Sequence, residues 1–599
     1  MHKYILSIIL LSIQVCLPAQ LPSARIPARR DPIPRIQPNG DTLIVLLRGD
    51  ERSHRTLTLD GWQIKENDKG YLCYAIQKKD GSLIASKRVA HNEGQRTCGE
   101  SRWLKNNGIL IPQVQRKPPR RLADGTLPEW GKAYLKQTHT AQPAHRLPEQ
   151  AETYLPTNIA PRGLVIVANF ADLNLREHEG YAGYRAYVDS MLNGEHFVRD
   201  YDYEYQWQGV TVSGHLHHEG SAKQYFEASS AGQYKPVFDV VGPVTLSKNQ
   251  SYYGHNSGNS DIISRINEVI YEAAQQAHSQ YGVDFSIYDN NNDGVVDFVY
   301  VLYAGLSEAD TGIQDYIWPC SGNYTGTSIQ LNGKRLGRWA VSAEMNLNGY
   351  ADGLGTIAHE FGHVLGLPDF YTTNGAYHKT MGSWDVMDYG CYNNEGNTPP
   401  LYNAQERFLL GWLTPTLITQ AMNDTLHYIG TSNEARIITE SDISNLIGSN
   451  PDPQTYWMLE NRQQTGWDAP LEGHGLMITK IVNSSKWTLS TNTVNNTVSA
   501  MGFDLVEADG VATDDEWYGK PTDLFPAGAT AYTAIANHSI TDIQEVDGVI
   551  TYKFKGGIAT DHPDITTDRT DTPTKKVLRN GQILIERGKQ VYTILGQKL

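Results

Sequence analysis

His359-Glu360-Phe361-Gly362-His363-Val364-Leu365-Gly366-Leu367-Pro368-Asp369 sets two histidines four residues apart, one helical turn, so both imidazoles project from one face. Glu360 rotates toward the same side, within reach of a metal-bound water. Gly366 is the expected helix end, in the left-handed conformation that costs glycine little. Pro368 stiffens the return, and Asp369 comes back as a third ligand. Three protein ligands with one open position describe a catalytic zinc site, not a structural one. The spacing therefore predicts peptide-bond hydrolysis by a zinc-activated water, with Glu360 as general base. A bare His-Glu-x-x-His also arises on inert packed helices; the added glycine and aspartate separate this run from them.

Downstream, Gly382-Ser-Trp-Asp385-Val-Met387-Asp388-Tyr389-Gly390 offers an apolar methionine floor beneath the histidines. It resembles the Met-turn of the metzincin peptidases, and Tyr389 is placed to reach the metal or the scissile carbonyl; packing on the turn explains the same residue. Asp385, Asp388 and Glu406 are candidate acceptors for the distal ring nitrogens of the ligands, and nothing in the sequence chooses among them.

With Asp369-Phe-Tyr371, Glu406-Arg407-Phe-Leu-Leu-Gly411-Trp412, Ile317-Trp-Pro319, Glu460-Asn-Arg462 and Asp523-Leu-Phe-Pro526, the chain resembles the immune-inhibitor-A-like secreted metallopeptidases of bacteria over most of residues 160–550. That resemblance implies an α/β metzincin-like zinc peptidase domain, flanked by an N-terminal β-rich propeptide and a C-terminal β-rich region. It also implies endopeptidase action on extracellular proteins, with His359, His363 and Asp369 as zinc ligands. Cys320 stands where members often have a histidine, which leaves that histidine's role unfilled.

Residues 1–19 read as a signal peptide: a basic start, a short apolar stretch and a small residue before the cut. No later run is long and apolar enough for a bilayer. The expected location is secreted or at the cell surface. Cys73, Cys98, Cys320 and Cys391 follow; order along the chain favours Cys73–Cys98 and Cys320–Cys391 among the three pairings, with Cys98 as an alternative propeptide ligand to the zinc. The net charge of −15 leaves no basic helix face, which gives nucleic-acid binding no support. Arg25, Arg29, Arg30, Arg116, Lys117, Arg120 and Arg121 sit in proline-containing stretches and read instead as cleavage points for an activating protease.

Short apolar runs separated by glycine turns predict a small antiparallel unit within a propeptide of 20–160, whose loop-rich part from 103 suits the activation cut. The catalytic domain is expected over 161–413. Within it come strands at 163–170 and 295–303, helices at 181–191, 261–277 and 402–410, and a strand at 210–216 lining the sheet near the cleft. A β-rich domain follows over 414–556, packed on or beside the catalytic domain, with strands at 455–460 and 475–481. A Thr/Asp/Pro-rich linker covers 557–575. The tail, 576–599, is a β-hairpin with a third strand; it resembles shortened sorting signals read by outer-membrane secretion machinery, and a small packing hairpin fits equally.

Asp289, Asn291, Asp293 and Asp297 occupy positions 1, 3, 5 and 9 of an EF-hand-like loop, with Gly294 at position 6. Tyr300 stands where the closing glutamate belongs. The pattern suits a structural calcium, or a hydrated Asn/Asp turn. The alternative to a peptidase is a catalytically inactive surface binding protein on the same scaffold; an intact Glu360 weighs against it.

Overall fold

The computed structural model describes residues 24–111 and 160–593 apart from internal stretches, the longest being 440–454 and 558–573. The expected signal segment and most of the expected activation stretch lie outside the described residues.

Runs that are apolar at almost every position become strands buried on both faces, as parallel sheets require. Leu164-Val-Ile-Val-Ala168 lies in β2 (Arg162–Asn169), and β4 (Val295–Tyr303) is buried from its second residue onward. With β1 (Ala24–Arg25), β3 (Val237–Thr245), β5 (Cys320–Asn323) and β6 (Lys334–Ala343) they make a sheet of order β1-β5-β6-β4-β2-β3, and Gln330–Leu331 pairs β6 beside it. Strands β3, β2, β4 and β6 are parallel. β5 returns antiparallel, and β1 pairs with its free side, Ala24 opposite Ser321 and Arg25 opposite Cys320.

Helices cover the two faces. α1 (Ile263–Tyr281) presents Ile266, Val269, Ile270, Ala273, Ala274 and Ala277, a stripe at helical spacing, to one of them. α2 (Gly355–Val364) lies on the other, where Phe361 meets Phe238 and Phe298 edge-on at ring distances of 5.5 and 5.1 Å. A buried phenylalanine of this kind contributes about 2–3 kcal/mol.

The β-rich ends pack on the same core. The N-terminal unit is a six-stranded antiparallel meander closed by the helix Cys98–Asn107, and its Val45, Leu47 and Tyr74 belong to one apolar cluster with Phe361 and Leu365. The C-terminal region holds a five-stranded and a three-stranded sheet. Alternation along its strands divides neighbours between two cores. Ile437, Met458 and Met477 join the cluster around Phe361, whereas Ile438, Leu459 and Ile478 join a separate cluster with Phe525, Ile550 and Phe554.

One strand differs from expectation. The stretch at 210–216 is outside the main sheet: among the described residues Val210–Glu219 pairs only with Val198–Trp207, in a two-stranded ribbon of its own. His215, His217 and Glu219 alternate along one exposed face of it, which no covering helix would tolerate. The tail forms three antiparallel strands, Thr574–Arg579, Gln582–Arg587 and Gln590–Thr593.

Candidate metal centre

All ten residues of α2 are buried. The helix is pressed onto the turn after Gly382: a Cβ at Gly362 would meet Met387 Sδ at 2.5 Å, and one at Gly355 would meet the Cys391 carbonyl. Gly366 takes φ +105°, and the Leu367 N–H closes on the Gly362 carbonyl at 3.0 Å, so the chain doubles back as its glycine suggested.

The doubling-back brings the three expected ligands together. His359 Nε2 and His363 Nε2 are 3.2 Å apart, and Asp369 Oδ1 lies 3.2 and 3.1 Å from them. For bonds of about 2.0–2.1 Å, one face of a tetrahedral zinc site has edges of about 3.3 Å, so the donor set matches the ion in size and type. Among the described residues it is the one such group of three histidine, cysteine or acidic side chains. Burial disfavours charge on all three. The two histidines outweigh it and hold Asp369 below the usual carboxylate range, and Asp369 lifts His359 to about 9 against burial. His363 is pushed down, by burial first and then by His359.

The outer partners of the ligands are not the expected carboxylates. His359 Nδ1 faces the Val386 carbonyl at 2.8 Å and His363 Nδ1 the Leu367 carbonyl at 2.7 Å, which turns both Nε2 atoms toward Asp369. Asp385 instead accepts the Met387 N–H at 2.6 Å, Asp388 accepts the Tyr389 N–H at 2.9 Å, and Glu406 caps its own helix through the Asn403 N–H at 2.7 Å. These acids shape the turn and the helix behind it.

Asn492 went unseen in the sequence. Its carbonyl oxygen accepts the Asp369 N–H at 2.8 Å, and its amide donates to Asp369 Oδ2, leaving Oδ1 for the histidines. Asn495 and Asn496 bind the Phe370 carbonyl and the Thr373 N–H from the same loop. Arg338 on β6 donates to the His363 carbonyl at 3.0 Å. The only sequence signal for the loop was its run of asparagines.

Glu360 is wholly buried, and Tyr300 feels its charge: burial first, then Glu360, push that phenol well above its usual range. Tyr389 is buried under the Arg30 guanidinium, 4.2 Å from its ring centre, and burial raises its phenol to about 12 although Arg30 opposes. Tyr371 stands between, its ring 6.3 Å from both His359 and Tyr389. Arg29 and Arg30, read as cleavage points, are buried, at 8% and 4% exposure.

Elsewhere the expected sites differ. The carboxylates of the EF-hand-like loop turn onto the loop itself: Asp289 accepts the Asp293 and Gly294 N–H groups at 3.0 Å, and Asp297 the Asn290 N–H at 2.6 Å. Asn291 accepts the Asp293 N–H at 3.0 Å, and Lys334 Nζ sits 2.6 Å from Asp289 as an internal cation. This geometry lends calcium no support. Among the described residues Cys73, Cys98, Cys320 and Cys391 are not joined in pairs, so neither expected disulfide forms; Cys98 is exposed, and the metal-ligand group contains no cysteine.

Residues 157–409 match the model of the immune inhibitor A peptidase M6 catalytic domain. The chain is 30% identical over 244 residues to the pre-pro-metalloprotease PrtV of Vibrio cholerae serotype O1, covering 35% of this chain and 26% of PrtV. It is 26% identical over 216 residues to immune inhibitor A of Bacillus thuringiensis subsp. alesti, covering 31% of each. The match thus spans less than a third of the length of either relative.

Proposed function

We propose, from the peptidase M6 domain that the chain carries at residues 157–409, that the protein is a secreted zinc-dependent endopeptidase of metzincin-like fold. The convergence of His359, His363 and Asp369 on one point, at distances that suit zinc, is the observation that supports this most. Zinc, when bound, supplies Lewis acidity that makes water acidic and polarises a carbonyl. Glu360 takes the proton of the attacking water and returns it to the leaving amine. Burial of the helix excludes bulk water from that transfer. Tyr371 stands beside His359, and Tyr389 would become available to substrate once Arg30 leaves it.

In the same reading residues 1–19 direct export and 20–160 are a propeptide. The catalytic unit covers 161–413, a β-rich domain 414–556, a linker 557–575, and the tail 576–599 is a secretion signal. Among the described residues no helix is long and apolar enough to cross a membrane. Protein or peptide substrates follow from the peptidase match. Calcium stays outside the proposal, since Lys334 and the loop's own amides meet the acceptors it would need. The inactive binding-protein alternative is not favoured by the match to named metalloproteases.

The test is casein hydrolysis by zinc-loaded wild type against Glu360→Gln, with zinc content measured in both. Hydrolysis lost in the variant while zinc is retained supports the reading. Equal hydrolysis by both, or none by either after activation, overturns it.

A further inference from the structure

A groove running along the edge of the sheet beside α2 is filled by the chain's own N-terminal segment. Residues 26–30, Ile-Pro-Ala-Arg-Arg, are buried throughout and follow directly on β1, which pairs with the edge strand β5. Both walls hold the backbone. On the sheet side Trp318 Nε1 donates to the Ile26 carbonyl at 2.9 Å, and the Arg29 N–H donates to the Ala309 carbonyl at 3.1 Å. On the side of the turn the Tyr392 hydroxyl donates to the Pro27 carbonyl at 2.7 Å. Such contacts would hold any extended peptide, as strand addition does.

Two contacts read side chains. Arg29 Nη2 donates to Glu395 Oε2 at 2.8 Å, and its Nε donates to Asp31 of the same segment at 2.8 Å. Burial works against the Arg29 cation, and Asp31, Glu395 and buried Asp310 together outweigh it, while burial pushes the Asp310 carboxyl itself up and Arg29 pulls it back down. Arg30 lies flat on Tyr389. When the segment departs, Asp31 departs with it, and Glu395 and Asp310 remain in the groove wall. An entering guanidinium can take the place of Arg29 beside Glu395, at the same 2.8 Å contact and with the same planar fork, whereas a neutral side chain cannot.

We propose that this groove is the substrate channel and that Glu395 and Asp310 form a subsite in it for arginine, so that preferred substrates are extended peptides with arginine at a fixed distance from the cut. This rests on the peptidase reading above. The competing account is that the two acids serve only to anchor the N-terminal segment.

The experiment uses the full-length, zinc-loaded chain with Arg29→Ala and Arg30→Ala, which loosen the segment. Peptides of defined sequence are digested and the cut sites read by mass spectrometry. Arginine should be enriched about tenfold at one position. Adding Glu395→Gln should bring the ratio of kcat/KM for an arginine peptide over its alanine counterpart down to about one. Cleavage with no basic position enriched overturns the subsite, as does a preference untouched by Glu395→Gln and by Asp310→Asn. If neither this chain nor wild type cleaves anything, the peptidase reading is what fails. Agmatine then decides the subsite: its guanidinium should raise the melting temperature of full-length Arg29→Ala, and not that of the chain also carrying Glu395→Gln. No shift with agmatine overturns the proposal.

Discussion

Asn492 grips Asp369 at both ends, accepting the backbone N–H at 2.8 Å and donating its amide to Oδ2, so that the remaining oxygen points at the two histidines. Asn492 sits at φ +44°, a conformation asparagine and glycine tolerate. Asn492→Gly therefore removes the grip while keeping the backbone. Outer partners of this kind are worth about 10–100-fold in metal affinity. Zinc competition against a chelator should show a loss of that order in Asn492→Gly, with the metal-free protein losing about 1–3 kcal/mol for the unpaired Asp369 N–H. Unchanged zinc affinity would mean that Asp369 is aimed by its own turn alone. The residue lies beyond 409, so the expected loss also means that the matched domain does not complete its own metal site.

Gly362 and Met387 meet so closely that the helix and the turn beneath it act as one piece. A methyl at Gly362 would fall 2.5 Å from Met387 Sδ and 3.0 Å from the Tyr402 hydroxyl. Alanine is ordinarily the better helix former, by about 1 kcal/mol. Here the overpacking should dominate, and Gly362→Ala is expected to destabilise by about 1–3 kcal/mol in urea unfolding. A stabilised variant would show that the methionine yields freely and is not a rigid floor.

The candidate metal ligands were legible because they are local: eleven residues carry the helix spacing, the glycine stop and the returning acid. Their outer partners were not. Backbone carbonyls of Val386 and Leu367 have no side-chain identity to read, so Asp385, Asp388 and Glu406 stood in for them. Asn492 lies 123 residues from Asp369, in a loop whose composition signals only a turn. Arg29 and Arg30 looked like exposed cleavage points because the groups that bury them, Glu395 and Tyr389, come more than 350 residues later. The main sheet was readable from its continuous apolar runs, whereas the strand at 210–216 was misplaced because period-two alternation does not say which sheet a strand joins.

Lys334 takes the part of a bound cation at the EF-hand-like loop, 2.6 Å from Asp289. Adding calcium at millimolar level should leave the melting temperature of wild type unchanged. The Lys334→Met variant removes the ammonium while keeping the aliphatic stem, and it exposes Asp289, Asp293 and Asp297 to one another's charge. That variant should melt lower, by the equivalent of about 1 kcal/mol. A calcium-dependent rise in wild type would return the loop to the metal sites.

His54 couples the N-terminal unit to the main sheet. Its ring stacks on Trp318 at 5.2 Å and Nε2 lies 3.3 Å from Glu308, which also accepts Asn256 at 2.9 Å. Burial lowers the imidazole to about 4, with Lys65 adding to the effect and the Asp50 backbone opposing it. Burial prevails over the nearby Glu308, so the ring is neutral near pH 7. The ordinary value is 6.5, so between that and about 4 the undocked chain binds the extra proton and the docked one does not. Docking is therefore at full strength above about pH 6.5 and weakens as pH falls toward 4, by up to about 3 kcal/mol. Hydrogen exchange of the meander should quicken over that window in wild type. His54→Gln, which cannot charge, should flatten the dependence. Exchange that quickens equally in the variant would assign the acid response to other groups.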